Sequence, residues 1–299
     1  MYEKILKISK SLKSKFYLDY EIYKSTWFQA GGRADIFCIV DNENELEIIL
    51  NNIENYPYLV IGSGSNLLIR DGGYKGLILK LGKSFEKLSL ENEKIIAGAR
   101  VLDTHLSKFA FLNSIKNFEF FSGIPGSIGG AIKMNAGCFG NETKNIIDKI
   151  TLIKKNGKKY TVKNNELNFS YRKSNLNDEI VLKAEFDATY SDKMEIKKKI
   201  DFIKNNRKIS QPIKSKTGGS TFKNPEGFYA AKLIEMSGCK NLKIGDAVVS
   251  NKHANFLINS KNASATEIED LGKLIIDKVY TNFEILLEWE IHIVGESKK

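Results

Sequence analysis

Gly62-Ser63-Gly64-Ser65-Asn66 follows an apolar run ending at Ile61, and its residue types suit the binding of a phosphate-like anion. Glycines let the backbone turn so that several N–H groups converge, while Ser63, Ser65 and Asn66 add short side-chain donors. A second stretch, Ser122-Gly123-Ile124-Pro125-Gly126-Ser127-Ile128-Gly129-Gly130-Ala131, holds four glycines and a proline in ten residues. Proline at a first helical position followed by small residues predicts an open helix N-terminus, whose N–H groups and positive dipole end attract anions. The two loops together would clamp a pyrophosphate. The bland alternatives are a plain strand-to-loop turn for the first and tight packing of small residues on a sheet for the second.

Other chemistries fail on spacing. The first loop is not the dinucleotide fingerprint Gly-x-Gly-x-x-Gly, because its third glycine position is Leu67. Gly82-Lys83-Ser84 resembles the end of a P-loop, but Leu77 stands where that motif needs glycine. There is no Gly-x-Ser-x-Gly elbow, and His105, His253 and His292 lack metal-ligand spacing, so no metal is expected. Near the C-terminus, alternation puts Glu288, Glu290 and His292 on one face of a strand, opposite Ile285, Leu287, Trp289, Ile291 and Ile293. Exposed strand glutamates are ordinarily only solvated; a catalytic use needs further context.

These groups need a scaffold. Apolar runs bounded by glycine predict strands at 58–61, 77–81 and 94–97, with helices over 44–53 and 103–115. Asn156-Gly157 inside the alternating stretch 151–162 predicts a two-residue hairpin, and another strand is expected at 180–186. A lysine-rich helix over 194–209, with Ile196, Ile200 and Ile203 as its stripe, marks the main domain boundary. Beyond it a helix is expected around 228–236, closed by Gly238, and a strand at 255–258. The capping box Ser264-Ala-Thr-Glu267 opens a helix whose apolar face carries Ile268, Leu271, Ile275 and Val279, and the last strand is expected over 284–294. The fold class is thus mixed α and β, and 299 residues suffice for two or three packed units.

Composition narrows the setting. No stretch approaches the roughly 18 uninterrupted apolar residues of a spanning helix, and lysines interrupt the N-terminal apolar residues, so neither membrane insertion nor secretion is expected. Cys38, Cys138 and Cys239 are far apart and form no Cys-x-x-Cys pair, which fits a reducing cytoplasm. The net charge of +10 invites a nucleic-acid reading, but only five of 46 basic residues are arginine and the lysines are scattered. Solvated lysines that steer small anions are the better account.

Three more segments complete a pattern: Ser170-Tyr171-Arg172-Lys173-Ser174, Gly219-Ser220-Thr221-Phe222-Lys223-Asn224-Pro225, and Leu287-Glu288-Trp289-Glu290-Ile291-His292-Ile293-Val294-Gly295. With both glycine loops, in this order, they resemble the UDP-N-acetylenolpyruvoylglucosamine reductase family. The similarity runs from Thr26 to Gly295 and includes Ala30-Gly31-Gly32 and His253-Ala254-Asn255-Phe256. The resemblance implies an α+β protein: a two-subdomain FAD-binding fold of the vanillyl-alcohol oxidase type plus a C-terminal α/β substrate domain. The boundaries expected are an N-terminal helical extension over 1–24, the flavin domain over 25–192 (subdomains about 25–84 and 85–192), and the substrate domain over 193–299.

The same resemblance implies FAD held by Gly62, Ser63, Gly64, Ser65 and Asn66 and by Gly123, Ile124, Pro125, Gly126, Ser127, Gly129 and Gly130. It implies NADPH as co-substrate, with hydride passing from the reduced flavin to the enolpyruvyl UDP-sugar. Ser220 matches the serine that gives the proton, and Arg172 and Glu290 the pair around the developing carbanion. Glu290 is chosen over Glu288 for its place five residues before Gly295. Tyr171, Lys208, Asn224 and His253 fall where the family binds the sugar nucleotide. No nucleic acid, membrane or obligatory protein partner is implied.

Only 47 residues lie between Arg172 and Ser220, which resembles the branch lacking an extra tyrosine-bearing loop, and Gly245-Asp246 replaces a pair of glycines. Two other readings stand beside this one: an oxidoreductase of the same flavin fold with another substrate, and a nucleotide-binding protein without catalysis.

Overall fold

The structure is a computed structural model that describes residues 2–53 and 55–298; Met1 and Lys299, at the ends of the expected outer domains, lie outside the described residues. The chain forms two compact units, one of Met1–Tyr17, Ile36–Ser63 and Gly76–Asn206, the other of Leu18–Asp35, Gly64–Lys75 and Arg207–Lys299.

In the first unit, helix Glu43–Ile53 buries Leu46, Ile49, Leu50 and Ile53, the i, i+3, i+4, i+7 stripe of an amphipathic helix. Its core continues through Ile36, Cys38, Leu77 and Leu79 of a four-stranded sheet, most of it in this unit. The strand order there is Lys15–Tyr20, Ala34–Val40, Tyr74–Leu81, Tyr58–Ile61, and the last two run parallel with Ile61 opposite Lys80. A five-stranded sheet runs in the order Lys159–Lys163, Ile147–Ile153, Ile180–Asp187, Lys94–Gly98, Leu88–Glu91, with every neighbour antiparallel. Helices Asp103–Leu112 and Ile128–Lys133 follow its Lys94–Gly98 strand, and Lys193–Ser210 buries Ile196, Ile200 and Ile203 as expected.

The turn at Asn156-Gly157 is not a two-residue one. Lys154 N–H reaches Lys158 O (3.0 Å) and Gly157 N–H reaches Lys154 O (2.9 Å), leaving three residues in the loop. Gly157 has φ +76° while Asn156 keeps a negative φ, so the geometry is a three-residue loop with a left-handed last residue; the mirror-image two-residue turn needs both positive.

The second unit packs helix Ala265–Phe283 against Ala247, Val249 and Leu257 of a three-stranded antiparallel sheet, Lys243–Ile244, Ala247–Val249, Leu257–Asn259. Ile268, Leu271, Ile275 and Val279 are fully buried, as their spacing predicts. Asp246 fits its hairpin without difficulty, its carboxylate accepting the Asn262 N–H at 3.2 Å. Strand Leu67–Ile69 pairs in parallel with His292–Val294. That three-residue strand is all that remains of the one expected over 284–294. Glu284 is a left-handed helix cap, and the following segment meets the chain near Thr221 through one isolated antiparallel bridge, Phe222 opposite Trp289, rather than a ladder. The helix expected from 228 starts at Ala230, because the Asn224 side chain accepts the Ala230 N–H at 3.0 Å and holds the preceding residues in a loop.

Candidate functional site

Each unit carries its own part of the expected machinery. In the first, the two glycine stretches meet: Ser63 Oγ donates to Pro125 O at 3.3 Å, and a Cβ on Gly62 would lie 2.4 Å from Ser127 Oγ. Any side chain at 62 would displace the Ser127 hydroxyl. The second loop departs from expectation in its helix. Pro125 is not at a first helical position; the helix opens at Ile128 after Ser127. Its first two N–H groups are already bonded, Ile128 to Val101 O (2.9 Å) and Gly129 to Ala99 O (2.8 Å), so these two are tied to the chain behind the helix. What the loops do offer is bare backbone. Gly62 and Gly130 are both exposed, and among the described residues, the helix's own backbone and the adjoining residues aside, a Cβ at Gly130 would meet only Ser127 Oγ within 4 Å. That profile suits close approach of a dinucleotide's pyrophosphate.

Arg172 and Tyr171 sit at the tip of a tight turn closed by Ser170 N–H to Lys173 O (2.9 Å) and Lys173 N–H to Ser170 O (3.2 Å). Arg172 adopts φ +56°, an uncommon conformation for a residue with a side chain. Its guanidinium carbon lies 4.9 Å from the Tyr171 ring centroid, and Nη2 donates to Gly137 O at 3.1 Å, which together fix the direction of the fork. The turn is held from below by Asn135, fully buried, whose amide donates to Ser170 O (3.0 Å) and to Glu142 Oε2 (2.9 Å). Burial would raise the Glu142 pKa, but hydrogen bonds from Lys144 and Asn135 outweigh it and hold the carboxyl below its ordinary value, with the Arg172 charge adding to the effect. Asn135 was missed by the sequence reading; the signal was an amide inside the small-residue run Met134-Asn135-Ala136-Gly137.

In the second unit the segment 220–223 is bonded on both sides. Thr221 N–H donates to Asn255 O (2.8 Å), and Thr221 O accepts the Glu290 N–H (2.8 Å). Asn255, buried, doubles the first link: its side chain accepts the Phe222 N–H (2.9 Å) and donates to Phe222 O (2.8 Å). Ser220 and Glu290 are thereby carried on adjacent segments, with His253 two residues before Asn255. The two glutamates separate clearly. Glu288 is 71% exposed and paired with Lys223 Nζ at 3.0 Å, whereas Glu290 is half-buried. Asn224 caps the loop that leads to helix Ala230–Met236, and Lys208, near the end of Lys193–Ser210, accepts the Lys252 ammonium on its backbone carbonyl. The His253 ring meets Phe256 edge to face at 4.7 Å. Burial lowers its pKa despite a backbone hydrogen bond that favours the cation, and Nδ1 has no partner among the described residues.

Of the first loop, Gly62 and Ser63 belong to the first unit and Gly64, Ser65 and Asn66 to the second. Gly64 has φ +69°, and a Cβ there would strike Ser25 O at 2.2 Å. Among the described residues no helix is long and apolar enough to cross a membrane.

Comparison with known proteins places this arrangement. Residues 34–183 match the family model described as FAD binding domain, and residues 211–294 match that of the UDP-N-acetylenolpyruvoylglucosamine reductase C-terminal domain. The UDP-N-acetylenolpyruvoylglucosamine reductase of Rickettsia akari (strain Hartford) is 41% identical over 96% of this chain and 98% of its own. That of Rickettsia bellii (strain RML369-C) is 42% identical over 95% of each. The crystal structure of the Thermus caldophilus enzyme of the same name superposes with a TM-score of 0.83 at 31% identity, over 94% of this chain and 99% of that one.

Proposed function

Because the chain belongs to the UDP-N-acetylenolpyruvoylglucosamine reductase family, we propose that it reduces the enolpyruvyl group of the UDP-amino sugar to UDP-N-acetylmuramate for peptidoglycan synthesis. It is an FAD-dependent oxidoreductase, and NADPH is its electron source. The reaction is cytoplasmic, with the flavin-binding part over 25–192 and the substrate part over 193–299. Residues 62–66 and 123–130 hold the FAD. When bound, FAD supplies the hydride chemistry.

The chain's own residues handle charge and the proton. Reduction at the β carbon of an enol ether conjugated with a carboxylate puts negative charge on the neighbouring carbon and on that carboxylate. Arg172 presents a planar fork that pairs with two carboxylate oxygens. Glu290, as a carboxylic acid, donates a hydrogen bond to the same charge. Ser220 delivers its hydroxyl proton to the strongly basic carbon from a fixed position. Tyr171, Lys208, Asn224 and His253 bind the sugar nucleotide.

The observation that carries this reading is the 2.8 Å bond from Glu290 N–H to Thr221 O, which keeps proton donor and carboxyl on neighbouring segments. The test is Ser220→Ala in anaerobic half-reactions. NADPH still bleaches the flavin at close to the wild-type rate, while reoxidation by the enolpyruvyl UDP-sugar slows on the order of a hundredfold or more. Equal loss in both half-reactions removes Ser220 from the proton-transfer role. A wild-type flavin that the sugar nucleotide fails to reoxidise points to another substrate, and a protein that takes up no FAD leaves only nucleotide binding.

A further inference from the structure

Glu290 is held from both sides, and one of its anchors lies outside the substrate-binding segments. Its N–H goes to Thr221 O, next to Ser220. Its carbonyl accepts Asn66 Nδ2 at 3.0 Å, a contact across 224 residues of sequence. The same Asn66 uses its own carbonyl to accept the His292 N–H, also at 3.0 Å. One residue therefore brackets Ile291, which is 3% exposed, by gripping the carbonyl before it and the N–H after it. In an extended chain those two groups point the same way, so the pair of bonds fixes the rotation of this stretch about its axis. Parallel pairing of Leu67–Ile69 with His292–Val294 continues the grip directly after it. Rotation about the strand is the freedom that decides where the Glu290 carboxyl points.

We propose that Asn66 is a positioning residue for Glu290: its backbone belongs to the loop that holds FAD, while its side-chain amide is turned away to Glu290 and orients that carboxyl for catalysis. The glycine loop assigned to FAD thus ends on a residue whose side chain serves the acid. A methyl group in its place leaves this stretch with one anchor fewer, and small misplacements of a catalytic group cost on the order of tenfold to a hundredfold in rate. The proposal rests on the reductase reading above, and its test is built to fail separately from it.

The experiment uses the FAD-loaded enzyme carrying Asn66→Ala, with Asn66→Asp as a near-isosteric second variant that keeps the volume and removes the donor. Expected for both are wild-type FAD content and flavin reduction by NADPH within about twofold of wild type. Reoxidation by the enolpyruvyl UDP-sugar slows on the order of tenfold or more, in kcat and with little change in KM. The decisive arm is the double variant: in a Glu290→Gln background, Asn66→Ala adds no further loss, because the residue acts through the group already removed. Loss of FAD with normal reoxidation per bound flavin makes Asn66 a cofactor contact and overturns the proposal, as does a fully additive double variant. Failure of the wild-type enzyme to use the sugar nucleotide sinks the reductase reading instead, and leaves the FAD-content arm still diagnostic.

Discussion

At the scale of single residues, Asn66, Asn135 and Asn255 each tie a segment of the candidate site to backbone elsewhere in the chain, through bonds to Glu290 O, Ser170 O and Phe222 O. Ser220, Arg172 and Glu290 could be singled out from motif order, and Glu290 could be told from Glu288 only by counting back from Gly295; the structure adds the Lys223 pairing that occupies Glu288. Asn66, Asn135 and Asn255 show why the rest was hidden. Each makes its bonds to backbone far away in sequence, and an amide's composition says nothing about where it points. Asp103 is the clearest case. It is fully buried at the start of helix Asp103–Leu112, its N–H bonded to Gly126 O, and neither carboxyl oxygen completes a hydrogen bond among the described residues. Burial pushes its pKa well above the carboxylate range, against a weaker pull from the Gly126 backbone. The folded protein therefore keeps a proton that the unfolded chain loses, so this residue's contribution falls as pH rises from about 4, the usual aspartate value, through the raised folded value. Asp103→Asn cannot titrate. Thermal melts at pH 4 and pH 8 are expected to show the variant gaining on wild type at the higher pH, by a few degrees as an order of magnitude. Parallel pH profiles would mean that the carboxyl is neutralised by something else.

At the scale of elements, periodicity located the long helices and the strands at 58–61, 77–81, 94–97 and 180–186, because repeating contact with a core leaves a repeating pattern, but it passed over Ala34–Val40, whose buried residues form no clean alternation. It failed where one specific bond ends or interrupts an element. The last strand contracts to His292–Val294 because residues before it meet the chain near Thr221 through one isolated bridge, and the short helix waits until Ala230 because Asn224 holds the loop ahead of it. Helix Ala265–Phe283 contains both outcomes. Its capping box is as read, with Ser264 Oγ accepting the Glu267 N–H (3.1 Å) and Glu267 Oε2 accepting the Ser264 N–H (2.9 Å). A second cap had no sequence signal: Asp71 accepts the N–H groups of Ala265 (2.9 Å) and Thr266 (2.8 Å) and the Thr266 hydroxyl (2.6 Å). An anion at a helix N-terminus also meets the favourable end of the dipole. Ser264→Ala is expected to cost about 1 kcal/mol, roughly 2–4 °C of Tm, and Asp71→Ala to cost more, since three donors lose their acceptor. Melting temperatures in the reverse order would show that the local box, and not the distant carboxylate, secures this helix.

At the scale of the whole molecule, the interleaving of the two units is what a linear reading could not supply. Leu18–Asp35 and Gly64–Lys75 fold with the C-terminal part of the chain through pairings such as Asn259 Nδ2 to Phe28 O at 2.9 Å and the two-pronged Arg70–Glu269 ion pair at 2.9 and 3.1 Å. Hydropathy patterns carry each segment's face but not the identity of the segment it will meet. Net charge, by contrast, is a global quantity read directly from the sequence, and +10 has a consequence for an enzyme whose proposed substrates are both polyanions. A positive field concentrates such ligands around the protein and is screened over about 10 Å at 0.1 M salt. Raising ionic strength from about 20 to 500 mM is therefore expected to lower kcat/KM for NADPH and for the sugar nucleotide, by severalfold each, through KM and with kcat nearly constant. A steering effect follows ionic strength and not the identity of the salt, because it acts through screening. A flat profile would mean that the lysines, scattered as they are, cancel as a steering field, and that the anions are recognised only after contact, by groups such as those proposed above, Lys208 and the two glycine loops.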